Sequence, residues 1–189
     1  GTGHSVSCGP RPGNSRAKGV PFGDVNMLVL DVDSATGPGV ASLMKVLAGF
    51  RYVSNTTHSH GKPLAGGGIS YSLRVYLPLD APLEADDAVM AGKAFIAMVK
   101  AETTIGEALD TSSTARGRVF YLNQFAEERE ELYDYETQVG AQVDAQALML
   151  VAQSLVQTIS KAQSDLRSLV RGSEAPQFDG ASEQVLPDC

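Results

Sequence analysis

The stretch Met27-Leu28-Val29-Leu30-Asp31-Val32-Asp33 restricts what this chain can fold into more than any other. Four apolar residues in a row read as a buried strand, and the strand ends on two carboxylates one residue apart. Strand side chains alternate faces, so Asp31 and Asp33 project to the same side, about 7 Å apart along the backbone. Two acids at the end of a buried strand repel each other and lose hydration. A divalent cation is the common compensator for such a pair. The competing reading makes Asp33-Ser34-Ala35-Thr36-Gly37 a polar turn in which one acid caps the next helix.

A chain of 189 residues is long enough for one well-buried core with an appended helical piece. Nothing approaches the ~20 continuous apolar residues of a membrane span. The N-terminus lacks the apolar core of a signal peptide, so a cytoplasmic setting is expected. Cys8 and Cys189 have no paired spacing, which supports neither a zinc ribbon nor a disulfide framework. The net charge of −7 is uneven: residues 1–80 hold seven of the 15 Lys/Arg and four of the 22 acids, leaving them at +3 and the remainder at −10. The first half can therefore present a basic cleft to a polyanion, whereas the second half cannot.

Residues 1–24, rich in Gly, Pro, Ser and Arg, read as an irregular lead-in, and residues 25–123 as the core. Val25–Asp33 is the first strand. Pro38 stands at a first helical position, and Val40, Leu43, Met44, Leu47 and Ala48 follow at helical spacing until Gly49. Arg51 to Thr57 reads as a second strand, which βαβ logic sets beside the first. A third strand runs from Ile69 to Leu79, with Tyr71, Leu73, Val75 and Leu77 on one face and Ser72, Arg74 and Tyr76 on the other, ended by Pro78 and Pro82. Glu84–Lys100 is an amphipathic helix and Gly117–Leu122 a fourth strand. Residues 124–171 read as helical almost throughout, broken at Gly140, with Val143, Leu150, Leu155, Ile159, Leu166 and Leu169 as the apolar face. The acid run Glu127–Glu136 reads as a solvated helix face, and residues 172–189 as a polar linker.

Two further stretches carry chemistry. Thr56-Thr57-His58-Ser59-His60-Gly61-Lys62 ends the second strand, and its imidazoles, hydroxyls and ammonium can hold a phosphate. Asp110-Thr111-Ser112-Ser113-Thr114-Ala115-Arg116-Gly117-Arg118 offers a third carboxylate and two guanidinium clamps, although alone it would read as an Asp-capped turn. Carboxylates for metal beside cations for phosphate suit two-metal nucleotidyl transfer, in which ions about 3.5–4 Å apart activate a 3′-hydroxyl and stabilise leaving pyrophosphate.

In this order the motifs resemble the catalytic domain of archaeo-eukaryotic primases (primase-polymerases), in the version carried by phages and plasmids. The family is marked by a hydrophobic strand ending in Asp-x-Asp/Glu, here Leu28 to Asp33. A small-residue-x-His motif follows, here within Thr57-His58-Ser59-His60. Next come an Arg-bearing strand entering a Pro-Leu turn, here Tyr71 to Pro82, and an Asp with a Ser-rich turn before a strand, here Asp110 to Leu122. The resemblance covers about residues 16–123. It implies an α+β fold with an RRM-like core that binds NTP or dNTP with Mg²⁺ or Mn²⁺ and copies single-stranded DNA. Asp31 and Asp33 would be metal ligands and Asp110 the third acid. His60, or alternatively His58, would contact the nucleotide phosphates, with Ser59, Lys62, Arg74, Arg116 and Arg118 as further nucleotide contacts. Losing Asp31 or Asp33 should abolish synthesis and leave the fold intact. The Asp110 turn is longer than the family pattern, and the acidic helical tail has no counterpart in it. That tail suits packing on the core, or docking of a replicative helicase or other replication protein.

Three rivals share pieces of the pattern. A haloacid-dehalogenase-type phosphatase also begins with Asp-x-Asp but wants Thr or Val where Ala35 stands, and its later acidic pair has only Asp86-Asp87 as a candidate. A relaxase-like endonuclease wants an apolar residue at Ser59 and a nucleophilic tyrosine on a helix, for which Tyr133 and Tyr135 are available. A nucleic-acid-binding relative without activity would keep the fold and lose the chemistry.

Overall fold

The structure is a computed structural model and describes residues 5–7, 23–114, 119–121 and 131–172. Its contacts divide the chain into two units, Gly1–Ser154 and Leu155–Cys189. In chain order the strands are β1 (Ser5–Ser7), β2 (Val25–Ala35), β3 (Tyr52–Thr56), β4 (Tyr71–Leu83), β5 (Leu109–Asp110), β6 (Val119–Tyr121) and β7 (Tyr135–Gln138). The helices are α1 (Gly37–Leu47), α2 (Ala85–Glu102) and α3 (Ala145–Gly172).

Five strands form one sheet in the order β5-β2-β4-β3-β7, with every neighbouring pair antiparallel. This is an α+β fold. β2-α1-β3-β4-α2-β5 with β4 lying between β2 and β3 is the split βαβ arrangement of an RRM-like core. The second strand expected from the sequence is thus one strand removed from the first. A crossover helix fixes only that β2 and β3 run parallel, and the hairpin partner β4 takes the place between them. The carboxyl ends of β2 and β3 still emerge at one end of the sheet.

One sheet face carries the core. Leu28, Leu30 and Val32 of β2, Leu73, Val75 and Leu77 of β4, and Leu109 of β5 are buried with Leu43 and Leu47 of α1 and Ala91, Phe95, Ile96 and Val99 of α2. The period-two burial of β2 and β4 and the helical spacing of α2 are what place these residues on one side. α1 carries Pro38 in its first turn and is capped by Thr36, whose Oγ1 accepts from Gly39 N at 3.3 Å. Thr36 takes the capping role, so Asp33 is not used for it.

Several expectations from the sequence change. β4 continues through Pro78 and Pro82 to Leu83. Beyond Tyr76 it has no register partner in β3, which is where a missing backbone donor is tolerated. The lead-in contains β1, which pairs with β6 in a separate two-stranded sheet, so the fourth predicted strand is not a member of the main sheet. The helical expectation for residues 124–171 breaks down at Tyr135–Gln138, which adds as β7 to the edge of β3. An unpaired edge leaves a row of donors and acceptors open, and an alternating Tyr-Glu-Thr-Gln segment closes it.

Gly140 then lets the chain pass against the α1–β3 turn: a Cβ there would lie 2.6 Å from the Phe50 carbonyl carbon. Asp144 Oδ1 accepts from Ala147 N at 2.8 Å, and Asp80 Oδ1 accepts from Ala145 N at 2.9 Å, so two acids seat the start of α3. Its inward face is Ala145, Leu148 and Ala152. Leu150 is exposed, and Val143 is buried ahead of the helix. In the second unit the helix continues to Gly172 with Leu155, Val156, Ile159 and Leu166 exposed. No described helix is long and apolar enough to cross a membrane.

Candidate active site

The registers of four ladders align one residue from each strand into a row across the sheet: Asp110, Asp31, Arg74, Asn55 and Tyr135. Residues directly opposite in a ladder share a face, with Cβ atoms about 5 Å apart. The row lies on the face away from the two-helix core, because its members alternate with Leu30, Val32, Leu73 and Val75.

Arg74 holds Asp31 with a planar fork. Its Nε donates to Oδ1 at 3.0 Å and its Nη2 to Oδ2 at 3.2 Å. The two side chains are 12% and 8% exposed, so this is a largely desolvated pair. Burial disfavours the guanidinium cation, but the hydrogen bonds and charge of Asp31, with Tyr76 adding to them, together outweigh it and Arg74's pKa rises.

Asp33 is displaced from its strand position by a bulge. Val32 pairs with Leu73 and Ala35 with Tyr71, so Asp33 and Ser34 together oppose Ser72. Ser34 takes a left-handed φ of 57°, and its N–H donates to Ser72 Oγ at 2.9 Å. A bulge re-aims side chains beside a site. It leaves the Asp33 carboxylate exposed and without a hydrogen bond from the described residues. Burial raises its pKa above 3.8, the charges of Asp31 and Asp110 raise it further, and Arg74 and His58 pull it back. Asp31, Asp110, Arg74 and His58 therefore all act on Asp33.

Asp110 stands opposite Asp31 in the β2–β5 ladder, but its oxygens are engaged. They accept from Ser112 N at 2.7 Å and Ser112 Oγ at 2.6 Å, the Asp-capped turn of the alternative reading. Among the described residues no three His, Cys, Asp or Glu side chains form a group that could hold a metal ion.

The two histidines part. The strand stops at Thr56, and His60 N returns to Thr57 O at 2.8 Å, closing a turn that prevents His58 and His60 from sharing a strand face. His60 folds back on β4. Its Nδ1 accepts from Ser72 N at 3.4 Å and its ring meets Tyr71 edge-on at 5.5 Å. His58 is exposed and acts on Asp33. Ser59 Oγ lies 3.3 Å from His58 Nε2, and Ser59's carbonyl accepts from Ser70 Oγ at 2.8 Å. Lys62 is exposed at the foot of the Pro63–Ile69 loop. Arg116 and Arg118 lie outside the described residues.

Sequence reasoning passed over Ser34, Ser72 and Asn55. Ser72 is fully buried and braces both the bulge and His60. Its place on the Arg74 face of β4 was the available signal. Thr57 Oγ1 is buried with no hydrogen-bond partner among the described residues. For the rival readings, Asp86 and Asp87 lie in the first turn of α2, where acids suit the helix dipole. Tyr135 stands on an edge strand rather than on a helix.

No family model and no curated protein matches the sequence. Two solved structures are similar to it. The AEP domain of the primase-polymerase from cyanophage S-2L is 14% identical, with 70% of this chain and 62% of that chain covered and a TM-score of 0.44. The polymerase domain of Ligase D from Mycobacterium tuberculosis, in complex with DNA, is 18% identical, with 63% and 43% covered and a TM-score of 0.38. The chain thus spans less than two thirds of the length of either.

Proposed function

We propose that this chain is a nucleotidyltransferase of the primase-polymerase kind, making primers on single-stranded DNA from NTPs or dNTPs with Mg²⁺ or Mn²⁺. The observation that carries the reading is the sheet row: Asp110, Asp31 and Arg74 stand side by side, with Asp33 turned out beside them and His58 acting on it. The donor set fits a hard cation. Its oxygens are carboxylates, and burial together with the charges of Asp31 and Asp110 raises the pKa of Asp33. Mg²⁺ is commonly held by one or two carboxylates with substrate phosphates completing the shell, so a preformed three-acid cage is not required. Bound metal would acidify a 3′-hydroxyl and offset charge on the leaving pyrophosphate.

The chain's own side chains divide the remaining work. Asp33 and Asp31 bind the metal, and Asp110 adds field from the adjacent strand. Arg74 and His58 face the triphosphate. His60 is better placed as a brace for the β3–β4 turn. The exposed apolar residues of α3, Leu155, Val156, Ile159 and Leu166, suit a protein partner such as a replicative helicase rather than DNA.

Primer synthesis on single-stranded DNA with NTPs or dNTPs and Mn²⁺ tests the reading. Product from the wild-type chain, lost to background in Asp33→Ala, supports it. Absence of product on every template, or an unaffected Asp33→Ala, overturns it. A covalent DNA adduct lost in Tyr135→Phe would point to the endonuclease instead.

A further inference from the structure

The Asp31–Arg74 fork constrains how the proposed site fills. Asp31 is 6% exposed and both its oxygens accept from Arg74. A carboxylate that deeply placed cannot shed its cation without a replacement, and a metal arriving at Asp31 meets a guanidinium already there. Arg74 cannot leave unpaired either, because a desolvated guanidinium needs an acceptor. A triphosphate is one, and Arg binds phosphate oxygens with the same two-pronged geometry that it uses on carboxylates.

Resting on the reading of the acids as metal ligands, we propose that Arg74 is an exchange residue: it occupies Asp31 in the empty site and passes to the triphosphate as metal takes Asp31. Metal and nucleotide then bind with positive coupling, since each supplies the partner that the other displaces. Neither buried charge stands alone during the exchange. The bulge at Asp33–Ser34 leaves Asp33 outside this lock, so metal makes first contact there and completes its binding at Asp31 only with nucleotide present.

The test uses the full chain and two separate titrations. Mn²⁺ binding without nucleotide is followed by loss of its EPR signal, and α,β-methylene-dATP binding in Mn²⁺ by calorimetry. Arg74→Gln keeps an amide donor for Asp31 but removes the competing cation. Its Mn²⁺ affinity should rise about ten-fold and its triphosphate affinity fall about ten-fold, within the usual range of coupling between sites. Arg74→Lys keeps the charge and loses the fork, so its Mn²⁺ affinity should rise by a smaller factor. Asp31→Asn added to Arg74→Gln should cancel the gain in Mn²⁺ affinity, and thermal melts establish that each variant is folded.

Unchanged Mn²⁺ affinity in Arg74→Gln would make Arg74 a phosphate clamp only and overturn the exchange. Parallel loss of both affinities would make it a structural residue and overturn it too. Arg74→Lys identical to wild type toward Mn²⁺ would reduce the effect to net charge, and the exchange would again be overturned. Failure of the wild-type chain and Arg74→Gln alike to bind Mn²⁺, with or without the triphosphate, would instead overturn the metal reading on which the exchange stands.

Discussion

Asp110 stands directly across from Asp31 in the β2–β5 ladder, so two carboxylates share one row of a sheet face. Like charges placed opposite one another oppose strand pairing. Each is compensated from a different direction: Asp31 by the Arg74 fork, Asp110 by the two donors of Ser112. Asp33 accepts no hydrogen bond from the described residues and bears the remaining repulsion. The same acids therefore differ in what their loss does to the fold.

Asp33→Asn should stabilise the protein in chelator while abolishing metal-dependent activity. The carboxyl of Asp33 has a folded pKa above its ordinary value, so its contribution favours the folded state below about pH 4, where it is protonated. That contribution is lost as pH rises through the raised folded value, and the ionised group then costs stability. Thermal melts should show Asp33→Asn and the wild type nearly equal at pH 3.5 and the variant more stable at pH 7. Equal melting temperatures at both pH values would mean that neither burial nor the neighbouring acids act on Asp33.

Asp31→Ala should act in the opposite sense. It removes the carboxylate that a largely desolvated guanidinium pairs with, a change worth about 3 kcal/mol for buried pairs. Its loss of synthesis will therefore be mixed with loss of fold, contrary to the expectation that both acids are purely functional. Denaturant melts of Asp31→Ala and of Asp31→Ala with Arg74→Met separate the two effects. The double variant should recover most of the stability and none of the activity.

The pair of acids, the Arg-bearing strand and the two amphipathic helices were legible because each is a local pattern of alternation or helical spacing. Strand order was not, since the place of β4 between β2 and β3 is settled by pairing across the molecule. The bulge was hidden because Ser34 takes a positive φ without the glycine that usually announces one. β7 was hidden by composition: Tyr135 and Thr137 are good strand formers, but the acids around them read as a solvated helix. His58 and His60 looked equivalent at period two, and only the turn from Thr57 O to His60 N separates them.

Gly140→Ala should lower stability by about 1–3 kcal/mol, the usual cost of forcing extra atoms into a packed site. The added Cβ would sit 2.6 Å from the Phe50 carbonyl carbon and 2.7 Å from two carbonyl oxygens, all backbone atoms that cannot rotate away. Ala141 N donates to Gly49 O at 3.0 Å and Arg51 N to Ala141 O at 2.7 Å, so the clash falls on the bonds that dock the end of β7. Gly49→Ala is the control, because a Cβ there meets nothing within 4 Å. Similar melting temperatures for both variants would show that residues 139–141 do not pack against the α1–β3 turn.

Tyr52 provides an alkaline test of β7 itself. Its hydroxyl donates to Glu136 Oε1 at 3.1 Å, joining the neighbouring strands β3 and β7. Burial raises its pKa, and the Glu136 charge and hydrogen bond raise it further. A tyrosine with a folded pKa above about 10, the unfolded value, contributes stability that is complete below that pH. The contribution is lost as pH rises through the folded value, because the tyrosinate would face the Glu136 carboxylate. Tyr52→Phe should cost about 0.5–1.5 kcal/mol at neutral pH and lose less than the wild type as pH rises above about 10. Absorbance titration should show one of the six tyrosines ionising late in the wild type and no late step in Tyr52→Phe. If the late step survives the substitution, Glu136 is not beside Tyr52, and β7 does not close that edge of the sheet.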